Sequence, residues 1–201
     1  MTRFLLIRHA LTDVTASTLI GRSRGIPLSQ DGVEQAIDMA EFVRRWQLDL
    51  VLSSPLERAT QTATYIAESC STDVVVDAAF QECDFGRWTG MTFSALTADP
   101  EWQLFNSRRS FSSAPDGESL HDVQCRAIHR LNQLQGEQTG KTLAIVTHAD
   151  VIRSILTYAA GVPMDFFIRF AIDPASVTIV RLGGDYPIVE GVNLTAPDRA
   201  S

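Results

Sequence analysis

What this sequence has little of narrows it first. Its three cysteines, Cys70, Cys83 and Cys125, are odd in number and far apart. None of the pair spacings of zinc sites or redox motifs occurs, so they read as reduced thiols of a cytoplasmic protein. There is no run of about 18 apolar residues, and the N-terminus enters a strand almost at once, without the longer apolar stretch of a signal peptide. Basic charge is outweighed, 17 Lys and Arg against 24 Asp and Glu, for a net charge of −7. Without a basic field or a cluster of four or more Lys/Arg, nucleic acid and anionic membranes are excluded as expected partners. Only four histidines are present, and no carboxylate-rich motif of metal spacing accompanies them, which argues against a metal site. The electrostatics of any site must therefore be local.

The 201 residues, 45% of them hydrophobic, fit one domain with a core able to hold a rigid site. Residues 2–8 are a short apolar run bounded by charge, the pattern of a strand buried on both faces of a parallel sheet. Residues 49–53, 73–77 and 142–147 look the same. Between them lie helical patterns: Ser29 opens a run whose apolar Val33, Ala36, Ile37, Ala40, Phe42 and Val43 recur at three- and four-residue spacing. Further helices are predicted over about 55–69, 118–136 and 150–160. A late strand over residues 176–182 is expected to complete the sheet, with Gly183-Gly184 ending it. Strand alternating with helix predicts an α/β fold, a three-layer α/β/α sandwich around a mostly parallel sheet, with ligands beyond the carboxyl ends of the strands. Residues 84–117, with Trp88, Phe93, Trp102, Phe105, Phe111 and Arg108-Arg109 but no clean strand, read as a lid-like insertion. The tail 197–201 is small and polar and expected to fray.

The candidate chemistry gathers at strand ends. Arg8-His9 stands where Phe4-Leu5-Leu6-Ile7 stops, and His148 where Leu143 to Thr147 stops. Phosphomonoester hydrolysis needs a nucleophile, donors for the equatorial oxygens and an acid for the leaving oxygen. A neutral His9 imidazole attacks phosphorus without first losing a proton, and Arg8 offers a planar fork for the phosphoryl group. In Ser53-Ser54-Pro55-Leu56-Glu57-Arg58, proline at a helix start points Arg58 and free amides toward the same sheet edge. In Gln81-Glu82-Cys83-Asp84-Phe85, apolar neighbours at Phe80, Cys83 and Phe85 can desolvate Glu82 and raise its pKa, as an acid requires.

Five segments in this order resemble the histidine phosphatase superfamily, the group that includes the cofactor-dependent phosphoglycerate mutases: LLIRHA, GRSRGIPLSQDGVEQA, SSPLERATQTA, ECDFGRWTG with GES at 117–119, and VTHADVIRSIL. The resemblance implies a phosphoglycerate mutase-like fold. It makes His9 the phosphorylated nucleophile, Arg8, Arg58 and His148 the phosphate pocket, and Glu82 the proton donor. It gives Thr12 a phosphate contact, sets Thr15 on the substrate side, and leaves Arg22, Arg24 and Ala149 as candidate substrate-binding residues. Three departures stand out: Ala10 and Ala149 replace the usual glycines, and Asp150 follows where glycine is common.

The expectation is thus a metal-independent and cofactor-free phosphomonoesterase acting through a phosphohistidine on a small phosphorylated metabolite, with the oligomeric state, monomer or homodimer, left open by the sequence. Mutase-type transfer back to substrate is one alternative. A non-catalytic phospho-ligand binder, motivated by Asp150 beside the phosphate clamp, is another. Glu118, Ser119, His121 and His129 read as a helix terminus and surface or packing positions.

Overall fold

The computed structural model describes residues 1–14 and 17–197; Thr15 and the tail beyond Pro197 lie outside the described residues. Six strands, β1 (Thr2–Arg8), β2 (Leu50–Ser53), β3 (Val74–Val76), β4 (Thr142–Thr147), β5 (Ser176–Leu182) and β6 (Ile188–Thr195), form one sheet in the order β3-β2-β4-β1-β5-β6. The first four run parallel, while β5 and β6 are antiparallel additions on the β1 side. The Gly183-Gly184 pair therefore does not end the sheet. It opens a turn into β6, whose half-exposed residues gave no buried apolar run to read.

The continuous apolar strands are explained by two cores. On β1, Phe4 and Leu6 pack on one face with Leu143 and Ile145 of β4, while Leu5 and Ile7 pack on the other with Ala144 and Val146. Successive side chains of a strand point to opposite faces, so a sheet covered on both sides needs every position apolar. Helices α1 (Gln30–Val43) and α2 (Glu57–Cys70) cover one face through Ala36, Met39, Ala63 and Ile66. Helices α5 (Leu120–Glu137) and α6 (Ala149–Ala160) cover the other through Val123, Leu131, Ile152 and Leu156. Among the described residues no helix is long and apolar enough to cross a membrane.

Local signals fix the helix starts. Ser29 caps α1, its hydroxyl accepting from Gly32 N at 3.0 Å, and Ser119 caps α5 in a capping box with Asp122. Gly32 is required by close approach: a Cβ there would stand 2.0 Å from the Leu11 carbonyl oxygen, so the start of α1 lies directly on the chain that follows His9. Helix α2 begins later than proline at a helix start implies. Ser54 stays extended, its amide bonded to Val146 O at 2.9 Å in continuation of β2, as a residue before proline prefers. Pro55 and the extended cap Leu56 make the turn, and the helix starts at Glu57.

Residues 84–117, expected to hold no clean strand and to form an insertion, contain α3 (Phe93–Thr97) and α4 (Pro100–Ser107). Their caps are Thr92 and Asp99, the latter followed by Pro100 in the first turn. Trp88, Trp102 and Phe105 pack edge-on and stacked at centroid distances of 5.1–6.0 Å, continuous with the core that α5 and α6 cover. The segment is cinched at its base, where Glu118 N bonds Asp84 O at 2.8 Å and Arg87 N bonds Pro115 O at 3.1 Å. Gly86, at φ 49°, meets Pro115 O so closely that a Cβ would stand 2.0 Å from it.

Candidate active site

Parallel pairing of β1 with β4 sets Arg8 opposite Thr147, and His9 N extends the ladder to Thr147 O at 2.9 Å. The next residues on the two strands, His9 and His148, are thereby side by side, with ring centroids 5.1 Å apart and nearly perpendicular planes. Both are buried. The neighbouring strand β2 delivers Ser54, whose Oγ lies 2.8 Å from His148 Nε2, and the first turn of α2 delivers Arg58. Three adjacent parallel strands thus converge on one point beyond their carboxyl ends.

Hydrogen bonds define how the rings are used. His9 Nδ1 lies 2.8 Å from the Ala10 carbonyl oxygen, which only accepts, so the proton sits on Nδ1 and Nε2 carries the lone pair. Arg58 Nε donates to that Nε2 at 3.3 Å. Arg58 Nη2 reaches His148 Nδ1 at 3.4 Å and Gly21 O at 2.7 Å, and a guanidinium has no acceptor, so His148 Nδ1 accepts and its Nε2 donates to Ser54 Oγ. Burial, with Arg58 and Arg8 adding to it, pushes the His9 pKa down to about 3, and His148 is lowered by burial and then by His9 and Arg58. Both imidazoles are neutral at ordinary pH. Burial lowers Arg8 and Arg58 too, opposed chiefly by the carboxyl of Glu82, yet an arginine retains its charge. Only 2% of Arg58 is exposed, so the surface ion pair with Glu57 or Glu34 that a helix arginine often makes is not its environment.

Arg8, His9, Arg58 and Glu82 share the wall of a cavity of about 290 Å3. Glu82 Oε1 accepts from Cys83 N at 2.8 Å, and the carboxyl is raised to about 7 by burial first and by the charge of Asp150 second. Phe80, Cys83 and Phe85 are all buried, the apolar setting that the sequence implied. Asp150, in the first turn of α6, also lines the cavity. Its Oδ1 is paired with Arg153 Nη1 at 3.0 Å, so it does not stand against a bound anion as an uncompensated charge.

Of the four candidate substrate contacts, Ala149 lines the cavity and Thr12, buried, does not. Arg22 is placed elsewhere. It is outside the cavity lining, with Nε on the Glu82 carbonyl at 2.8 Å and its other nitrogens on Glu118 at 2.8 Å and Asp84 at 3.4 Å. Arg126 bonds the same Glu82 carbonyl and Glu118. The two guanidiniums therefore hold the backbone that presents Glu82, and Glu118 serves as their shared counter-ion. Arg24 is exposed and lies outside the lining, beside Glu57. Sequence reasoning missed the Ser54 hydroxyl, Arg109 and Arg153 as parts of the site. Ser54 stood inside the motif that supplied Arg58, but a serine before proline reads as a turn signal. Among the described residues no group of three or more His, Cys, Asp or Glu is arranged to hold a metal ion.

Comparison with known proteins bears on this arrangement directly. A bifunctional protein of Mycobacterium tuberculosis is 34% identical over 187 residues, 92% of this chain and 51% of that protein, so the chain spans about half the length of the curated relatives it matches there. Phosphoserine phosphatase 1 of Hydrogenobacter thermophilus is 29% identical over 97% of this chain and 93% of its own length. Among solved structures, a phosphoserine phosphatase mutant of Entamoeba histolytica in complex with phosphoserine superposes with a TM-score of 0.86 at 26% identity, covering 96% of this chain and 98% of that one. The model of the histidine phosphatase superfamily, branch 1, matches residues 4–195. The chain belongs to the histidine phosphatase superfamily.

Proposed function

We propose that this chain is a metal-independent phosphomonoesterase that passes the phosphoryl group of a small phosphorylated metabolite through His9. The observation that carries this reading is the state of His9: Nδ1 tied to the Ala10 carbonyl at 2.8 Å and Nε2 left as a lone pair beside Arg58 at 3.3 Å. Relatives described as phosphatases, among them a glucosyl-3-phosphoglycerate phosphatase of Mycolicibacterium vanbaalenii at 29% identity, support the reaction type. So does the pairing of Asp150 with Arg153, which removes the motive for a binder that has lost turnover.

In the first step Nε2 attacks phosphorus in line, the Nε2–P bond forms, and the P–O bond to the alcohol breaks. The proton of Glu82 goes to the departing oxygen. The carbonyl of Ala10 offsets the positive charge that develops on the ring as Nε2 becomes bonded. Arg8 and Arg58 carry the equatorial oxygens, with His148 buried behind the cavity wall and accepting from Arg58 Nη2, and the two guanidiniums supply the charge stabilisation that a metal ion gives in other phosphatases. In the second step the Glu82 carboxylate takes a proton from water as the water oxygen attacks phosphorus, the P–Nε2 bond breaks, and inorganic phosphate leaves. His9 and Glu82 return to their starting protonation, so the cycle closes. Three unpaired cysteines fit a cytoplasmic setting.

The deciding assay is release of p-nitrophenol from p-nitrophenyl phosphate at mildly acidic pH, with and without EDTA. Activity that survives the chelator and vanishes in His9→Ala is the expected result; retained turnover in His9→Ala refutes it.

A further inference from the structure

Beyond the phosphate end the cavity has a different character, and on the phosphomonoesterase reading above it bears on substrate. We propose that the outer half of the cavity selects phosphomonoesters whose alcohol carries an apolar group the size of a single ring, with Phe93 and Ile168 at its mouth as specificity-determining residues.

The wall supplies the first argument. Phe85, Phe93, Trp102, Phe105, Phe167 and Ile168 line the cavity, and Phe85, Trp102 and Phe105 pack on one another at 6.0–6.4 Å, a preassembled surface of ring faces and edges. Charge supplies the second. Arg8 and Arg58 face the phosphate, whose charge is about −2. Of the remaining lining cations, Arg153 is paired with Asp150 at 3.0 Å. Arg109 donates both terminal nitrogens to Asn106, lies over the Phe167 ring at 4.8 Å, and has its charge offset by Asp150 and Asp165. Its Nε has no partner but is sealed from solvent, so a ligand in the cavity does not reach it. Once phosphate is bound, the outer half offers no uncompensated cation for a second anion.

Size is the third argument. At about 290 Å3 the cavity lies at the small end of ligand sites, roughly 300–1,000 Å3, and the phosphate takes part of it. A single ring fills what remains. Finally, Phe93 and Ile168 line the cavity while 41% and 59% exposed, apolar surface at the mouth that a bound ring covers and removes from water.

The test compares three primary alkyl phosphates, so that leaving-group basicity is matched: 2-phenylethyl phosphate, phosphoserine and 3-phosphoglycerate. The expected kcat/KM for 2-phenylethyl phosphate is at least tenfold above either carboxylated ester. Phe93→Ser and Ile168→Ser, at exposed positions, should each narrow that advantage at least threefold, through KM. An advantage below tenfold, or one that neither variant moves, overturns the proposal. Preference for the carboxylated esters that disappears in Arg109→Gln assigns the outer half to a second anion instead. Calorimetric binding of the same three esters to His9→Ala reads the preference without turnover, so failure of the phosphatase reading and failure of this one are separable.

Discussion

Asp150→Asn tests the link between the fold and the acid. Glu82 is raised to about 7 by burial first and Asp150 second, against the lowering effects of the Cys83 amide, Arg58 and Arg126. Removing the Asp150 charge also frees Arg153 from its partner at 3.0 Å, which favours the ionised carboxylate further, so both effects lower the Glu82 pKa. A nearby like charge accounts for about one unit or more in such a pair, and burial persists in the variant. With a pKa of about 7, about one Glu82 in eleven is protonated at pH 8; lowering it by about one unit leaves about one in a hundred. The variant's kcat/KM should therefore fall roughly ninefold at pH 8 and stay nearly unchanged at pH 5, where most of the acid is protonated in both proteins. The substrate's own second ionisation is common to both profiles, so the ratio of variant to parent isolates the enzyme's acid. Stability gives a second readout with a fixed sign. A folded-state pKa above the unfolded one means stability present at low pH and lost as pH rises through about 7, and Asp150→Asn should flatten that loss. A basic limb that stays in place, or moves upward, refutes the assignment of Glu82 as the proton donor under Asp150's influence.

Two further perturbations probe other links. Arg58→Ala removes the guanidinium shared by His9 and His148 and should cost about 2–4 kcal/mol of transition-state stabilisation, the range for one preorganised donor; kcat/KM within a few-fold of the parent would contradict a clamp role. Gly32→Ala places a Cβ 2.0 Å from Leu11 O and should destabilise by about 1–3 kcal/mol, as overpacking does, although helix propensity alone favours alanine by about 1 kcal/mol. A raised Tm in that variant would show that the contact yields.

The sequence made the parallel part of the fold legible because strands β1 and β4 are buried on both faces and carry polar residues only toward their ends, around the apolar runs Phe4 to Ile7 and Leu143 to Val146. The same buried runs ended at His9 and His148, which is why the pair of rings that the fold sets side by side could be named from residues alone. Strand β6 was illegible for the opposite reason: it is an edge strand with mostly half-exposed residues and register irregularities against β5, so neither alternation nor a continuous run marks it. Helices α3 and α4 are short, and their caps Thr92 and Asp99 were readable, but periodicity over five and eight residues is too brief to stand out. Arg22 reads from sequence as a candidate ligand contact because it is an arginine in a polar loop near a phosphate motif. Its partners, Asp84, Glu118 and the Glu82 carbonyl, are 60 or more residues away, and only the folded chain brings them together.

The alanines that replace glycine after both histidines have a backbone explanation. Neither Ala10 nor Ala149 is among the described residues with left-handed φ, so a Cβ brings no strain there. Ala10 contributes through its main chain, its carbonyl fixing the His9 tautomer and its amide donating to Thr62 Oγ1 at 3.2 Å, and neither group depends on the side chain. Ala149 opens α6 as an ordinary helical residue and adds one methyl to the cavity wall. Asp150 is different in kind, since it adds a charge whose field falls on Glu82, Arg8 and Arg109 together. Of the three departures from the family's pattern, the two at the histidines bring no backbone strain, and the third adds a charge that, second to burial, raises the Glu82 carboxyl.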